Sequence, residues 1–111
     1  MRKQVATTLF NKGYAYYELG RYAEAIASYD DLVRRFETAS ENELRELVAA
    51  ALCNKGRDLG LLGRKEEAIE VYDDVAARFG PASKPPVIAI ALQALANRAK
   101  LLSGNESKET S

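Results

Sequence analysis

Asn11, Asn54 and Asn97 follow one another at intervals of 43 residues in a chain of 111. An asparagine side chain carries both a donor and an acceptor, so a ladder of them can pair with the backbone of an extended polypeptide whatever its sequence. Three residues beyond each asparagine stand Tyr14, Arg57 and Lys100. With Phe10 and Tyr17 they offer aromatic contact area at one end and positive charge at the other, which suits a ligand with an apolar or aromatic part and an acidic part. Catalytic chemistry is thinly provided. There is no histidine, hence neither the commonest general base nor the commonest metal ligand. Cys53 is the single cysteine, which leaves no internal disulfide and no Cys–His nucleophile pair. Asp30-Asp31 and Asp73-Asp74 lie in different segments without convergent partners and read as a solvated outer face. No catalytic residue, metal site or cofactor is expected; the pattern is that of a binding module.

The elements that must carry these residues repeat with them. Val5–Leu47 laid over Val48–Ile90 without a gap gives 19 identities in 43 positions, among them Asn11-Lys12-Gly13 with Asn54-Lys55-Gly56 and Tyr29-Asp30-Asp31 with Tyr72-Asp73-Asp74. A third copy starts at Ala91 and fades near Gly104, with Asn97-Arg98-Ala99 in the place of the tripeptide. A fixed internal period of this size marks stacked repeats. Each copy has the apolar spacing of helix, break, helix. Val5, Leu9, Tyr16 and Leu19 form one stripe, and Ala25, Ile26, Tyr29, Leu32, Val33 and Phe36 the next. Leu44, Leu47, Val48, Ala51, Leu52, Leu59 and Leu62 mark the inner face of a third helix, and Ala68, Ile69, Tyr72, Val75 and Phe79 a fourth. Gly20 and Gly63 break the pairs; Gly80-Pro81 ends the fourth helix. Ser40 with Glu43 reads as a capping box for the third helix, and Ser83 ahead of Pro85-Pro86 opens a fifth that runs to about Leu102. The expectation is all-α, five helices in antiparallel pairs. One domain spans 1–104, with repeats at 5–47 and 48–90 and a half repeat at 91–104. Residues 105–111 read as a flexible polar tail.

Lys plus Arg and Asp plus Glu both number 16, so the net charge is zero. That weighs against nucleic acid or an anionic membrane as the main partner. No apolar run reaches spanning length and no signal-peptide core is visible; a soluble cytoplasmic protein is the default expectation.

Leu9-x2-Lys12-Gly13-x2-Tyr16, then Leu19-Gly20, then Ala25-x3-Tyr29, resembles the tetratricopeptide repeat. Leu52, Gly56, Leu59, Gly63, Ala68 and Tyr72 repeat the pattern, and Leu95, Ala99 and Leu102 repeat its first half. The resemblance implies a right-handed α-solenoid of about two and a half repeats. Small residues at Gly13/Gly56 and Ala25/Ala68 would let paired helices approach. The period departs from the usual length of about 34, with the surplus in 37–45 and 80–88. Lys12, Lys55 and Arg98 replace the apolar residue usual before the glycine; the stems of Lys12 and Lys55 are expected to run along the helix interface with the heads in water. In this family the first helices of each pair line a concave groove that holds extended peptides or partner helices. By resemblance Thr7, Phe10, Asn11, Tyr14, Tyr17 and Glu18 face it from the first helix. Ala50, Cys53, Asn54, Arg57 and Leu61 do so from the third, and Gln93, Ala96, Asn97 and Lys100 from the fifth. The partner-binding residues singled out are Phe10, Asn11, Tyr14, Tyr17, Asn54, Arg57, Asn97 and Lys100. Some members clamp a C-terminal carboxylate with basic residues; only Asn54 matches that pattern, and the role is not expected here.

The fifth helix has apolar residues around much of its circumference, and a following helix that would cover Leu95, Ala99 and Leu102 is missing from the sequence. The chain is therefore expected either to be a piece of a longer array or to self-associate through Leu95 and Leu102 as a homodimer or end to end. The leading expectation is a non-catalytic protein or peptide binder; the alternative is a self-assembly segment.

Overall fold

The computed structural model describes residues 2–80 and 83–110, with side chains as far as residue 103. Five helices follow in order: α1 Arg2–Glu18, α2 Tyr22–Phe36, α3 Asn42–Leu61, α4 Lys65–Arg78 and α5 Pro85–Thr110. The described residues contain no strand.

The turn inside each pair is made by a glycine in the left-handed region. Gly20 has φ 75° and Gly63 φ 80°, a conformation that a side chain would strain. Around Gly20 the Arg21 N–H donates to Tyr16 O and the Gly20 N–H to Tyr17 O, both at 2.9 Å. Around Gly63 the Arg64 N–H donates to Leu59 O at 2.9 Å and the Gly63 N–H to Gly60 O at 3.0 Å. These bonds satisfy the last carbonyls of α1 and α3 and reverse the chain. α4 closes with the Phe79 N–H on Val75 O at 3.0 Å. Pro81, half of the expected Gly-Pro stop, lies outside the described residues.

α2 packs between α1 and α3, and α4 between α3 and α5; α1 also touches α3, and α3 touches α5. The helices thus form two layers, α1, α3 and α5 on one side and α2 and α4 on the other, in a body of 50 × 33 × 17 Å. One apolar core runs through it from Ala6 to Ala94. Its largest fully buried side chains include Tyr29, Leu32, Leu59 and Val75. The depth of each pair is set by a tyrosine against a glycine. A Cβ on Gly13 would meet Cε1 of Tyr29 at 2.5 Å, and one on Gly56 would meet Cε1 of Tyr72 at 2.6 Å. Ala25 and Ala68, one turn before those tyrosines, are fully buried. Only a residue without a Cβ lets the buried rings lie this close.

The units are also tied by ion pairs. Lys55 Nζ lies 2.7 Å from Asp30 Oδ1, and Arg98 Nε lies 2.8 Å from Asp73 Oδ1. The Lys55 head was expected in water, but it meets a carboxylate on the preceding outer helix, and Arg98 at the same register of α5 does likewise. Asp30 and Asp73 therefore bridge units rather than merely facing solvent. Such part-exposed pairs contribute about 1 kcal/mol or less; they help set register.

Three further expectations change. The capping box does not form: Glu41 holds the N-cap position of α3 with no side-chain cap bond. Arg2 draws Glu41 to 2.9 Å and Lys3 draws Glu43 to 3.0 Å, so the carboxylates tie α1 to the start of α3 instead. Val5, Leu19 and Leu62, placed on inner stripes, are exposed. Leu19 and Leu62 fall in the turns, and Val5 is on α1, which has helices on one side only. α5 continues past Leu102 to Thr110: position 106, in register with Gly20 and Gly63, is Glu, which supplies no left-handed turn. Ser111, the end of the expected tail, lies outside the described residues.

Gly56→Ala should lower stability by about 1–2 kcal/mol in urea denaturation: a Cβ pressed against a buried, rigid ring takes the upper part of the overpacking cost, about 2–3 kcal/mol, and the gain in helix propensity returns about 1. Combining it with Tyr72→Leu should cost less than the sum of the two single changes. A neutral or stabilising Gly56→Ala would show that the ring does not set the spacing.

Candidate partner-binding groove

α1, α3 and α5 form one layer because α2 and α4 wedge between their outer sides. The residues at the asparagine register and one turn on are therefore brought into series. Between α3 and α5 lies a cleft of about 390 Å³ lined by Gly56, Arg57, Gly60, Leu61, Tyr72, Asn97, Lys100 and Leu101. Four expected groove residues, Arg57, Leu61, Asn97 and Lys100, meet there. The lining has two cations and no carboxylate.

The aromatic end is continuous with it. The rings of Tyr14 and Tyr17 are 5.6 Å apart, and Tyr17 and Tyr22 are 6.0 Å apart. Tyr14 is 43% exposed and Tyr17 half-buried. The Arg57 guanidinium stacks on Tyr17, with Cζ 3.4 Å from the ring centroid, and so joins the aromatic shelf of α1 to the basic cleft of α3 and α5. Phe10 is half-buried and turns toward Tyr29, with centroids 5.8 Å apart.

The asparagines differ by unit. Asn11 is exposed. Asn54 is half-buried and its Nδ2 donates to Tyr29 Oη at 3.4 Å. Asn97 is half-buried and its Oδ1 accepts from Gln93 Nε2 at 2.9 Å. Burial raises the pKa of the Tyr29 hydroxyl, and the Asn54 amide opposes this. Burial likewise pushes the Tyr72 hydroxyl up to about 12, with Asn97 among the groups opposing it. Asn54 and Asn97 thus each border the tyrosine of the preceding outer helix, and part of the bonding capacity of Asn54 is used inside the chain.

Cys53 is buried rather than on an open wall. Its Sγ lies 3.7 Å from Ile90 O, and burial pushes the thiol up to about 11. Glu18, Gln93, Ala96 and Lys100 are exposed, and Thr7 and Ala50 are half-buried.

Asp58 is a residue of the candidate site that was not plainly legible in the sequence. It is fully buried, and its Oδ1 accepts from Arg57 Nε at 3.0 Å. Asp58 Oδ2 and Arg57 Nη2 are buried without partners. Desolvation raises the Asp58 carboxyl, opposed by the hydrogen bond and charge of Arg57. The guanidinium is therefore held by a carboxylate beneath and an aromatic face alongside, which fixes a flexible side chain at the cleft. A signal was present: the same register holds Ala15 and Leu101 in the other copies, so a carboxylate there needed a partner.

The described residues contain no group of three His, Cys, Asp or Glu side chains able to hold a metal ion, and no described helix is long and apolar enough to cross a membrane.

The family model of the tetratricopeptide repeat matches residues 4–79, more than half of the chain. The chain belongs to the tetratricopeptide repeat family, whose repeats generally mediate protein–protein interaction and are typically non-catalytic. Neither a search of curated proteins nor one of solved structures returned a significant match.

Because its folded-state pKa is raised, Asp58 contributes stability that is present below the unfolded carboxylate value, about 4, and lost as pH rises through the folded value. The stability of the wild type relative to Asp58→Asn should therefore be greater at acidic than at neutral pH. Urea midpoints of the two proteins across that range check it; a difference that does not change with pH would contradict the assignment.

Proposed function

We propose that the protein is an interaction module that takes an extended peptide or helix of a partner protein along the inner layer, with an acidic side chain or terminus of the partner at the α3–α5 cleft and an apolar or aromatic side chain on the Tyr14–Tyr17 shelf. The observation that carries this reading is the composition of the cleft: Arg57, Lys100 and Asn97 around Leu61 and Leu101, with no carboxylate in the lining. Arg57 is preorganised by Asp58 and Tyr17, so less side-chain freedom is lost when it pairs with an anion. Asn11, exposed, and Asn97 can add backbone hydrogen bonds.

Self-assembly through α5 is a second reading, favoured by one comparison. Leu95 and Leu102 are 45% and 43% exposed, whereas their counterparts in α3, Leu52 and Leu59, are 5% and 2% exposed. It concerns a different face of α5 and leaves the cleft open.

A peptide array probed with the labelled protein tests the groove reading. Selected peptides should combine Asp or Glu with a nearby aromatic or aliphatic residue. Arg57→Gln with Lys100→Gln should weaken them by about tenfold or more, about 1.4 kcal/mol, with Tyr14→Ala giving a smaller loss. Selected peptides that lack acidic residues, or bind the double variant equally well, would overturn it.

A further inference from the structure

We propose that α5 pairs with α5 of a second copy of this chain as an antiparallel two-helix seam, centred near Asn97. The proposal rests on the self-assembly reading above and names its geometry.

Ile88, Leu92, Leu95, Ala99 and Leu102 are spaced four, three, four and three residues apart, the repeat of a coiled-coil seam. In the single chain Leu92 is 62% exposed, with Leu95 and Leu102 close to half exposed, and Ala99 is exposed. The buried face of α5, Val87, Ala91 and Ala94, is a separate stripe already taken by the rest of the fold. Ile88, Leu92 and Leu95 also border a pocket of about 340 Å³ whose other wall is Ala76 of α4 with Phe79 and Gly80 just beyond its end.

What covers this stripe can be read from the other units. In α1 and α3 the glycine in register with Ala99 lies under the following antiparallel helix, which seats a tyrosine ring on it. Ala99 carries the methyl group that Gly13 and Gly56 cannot carry without striking that ring. A helix bearing tyrosine therefore cannot dock on α5 at the same depth, which argues against a further unit of the same kind. Another α5 fits instead. In an antiparallel pair centred at Asn97, Leu92 faces Leu102 of the partner and Leu95 faces its Ala99, so each central leucine fills the space left by an alanine. A parallel pair would set Ala99 against Ala99 and leave a gap, at a cost in packing.

Charge permits the contact. Ala89, Ala96 and Ser103 flank the seam on one side, and Leu92, Leu95, Ala99 and Leu102, which form its four layers, carry no charge; Ile88 lies beyond them, in register with Glu106 of the second copy. On the other side Arg98 lies against Asp73 of its own chain. Two identical faces therefore meet without like-charge repulsion, as a two-fold interface requires. Four layers make a small contact between two helices, so the dimer is expected to exchange with monomer, and its dissociation constant is to be read by experiment.

Sedimentation equilibrium of the intact chain across micromolar concentrations should show a monomer–dimer equilibrium. Leu92→Lys should raise the dissociation constant about tenfold or more; the site is more than half exposed in the monomer, so far-UV circular dichroism should be unchanged. Ala89→Cys and Ser103→Cys, with the buried Cys53 left in place, read the direction: oxidation should link the two variants to each other when mixed and link neither to itself. A monomer at every concentration would overturn both this geometry and the self-assembly reading. A dimer that tolerates Leu92→Lys, or that links within one cysteine variant alone, would overturn the geometry and leave self-assembly by another surface.

Discussion

The seat of a tyrosine ring on a glycine backbone is the constraint on which the rest of this structure depends. Tyr29 lies against Gly13 and Tyr72 against Gly56, closer than any Cβ would allow. That contact sets the distance between the helices of each pair. The same ring then reaches the next unit: Tyr29 Oη accepts from Asn54 of α3. One side chain thereby joins three helices, and the spacing of the inner layer follows from the spacing of the pairs. The cost of holding glycine inside a helix, about 1 kcal/mol against alanine, is tolerated because the alternative is to displace a fully buried ring.

The groove is a consequence of that joint. α2 and α4 hold α1, α3 and α5 in one layer, and the positions one turn beyond the asparagines converge on the inner side. The three units are not equivalent there. The first presents stacked tyrosines, the second an arginine held between Tyr17 and Asp58, the third a lysine over a cleft. Repetition supplies the scaffold, and the departures from repetition supply the chemistry. Arg57 joins the two, since the residue that stacks on the first unit also lines the cleft shared by the second and third.

Much of the fold was legible in the sequence because its signals are local. The left-handed turns need glycine, and Gly20 and Gly63 stand where the apolar stripes break. Gly13 and Gly56 at one register implied close approach before any ring was seen to cause it. What was not legible depends on contacts between elements. The pairing of Lys55 with Asp30, and of Arg98 with Asp73, requires knowing how the inner helix is rotated against the preceding outer one. Ser40 and Glu43 had the spacing of a cap, but Lys3 of a distant helix held a stronger claim on that carboxylate. The convergence of Arg57, Asn97 and Lys100 could be placed on a face from register alone; the apolar Ala15 and Leu101 at the register of Asp58 only hinted at its burial, because Ala15 itself is exposed and burial there depends on how α3 packs.

The most direct test of the central claim, that the inner layer is the recognition surface, is amide shift mapping by NMR during titration with a short peptide bearing an aromatic and an acidic residue. The largest shifts should fall on Arg57, Leu61, Asn97 and Lys100, with a second group at Tyr14 and Tyr17, while α2 and the outer face of α4 stay unchanged. Shifts centred on α2 and α4, or confined to Leu92, Leu95 and Leu102, would contradict it.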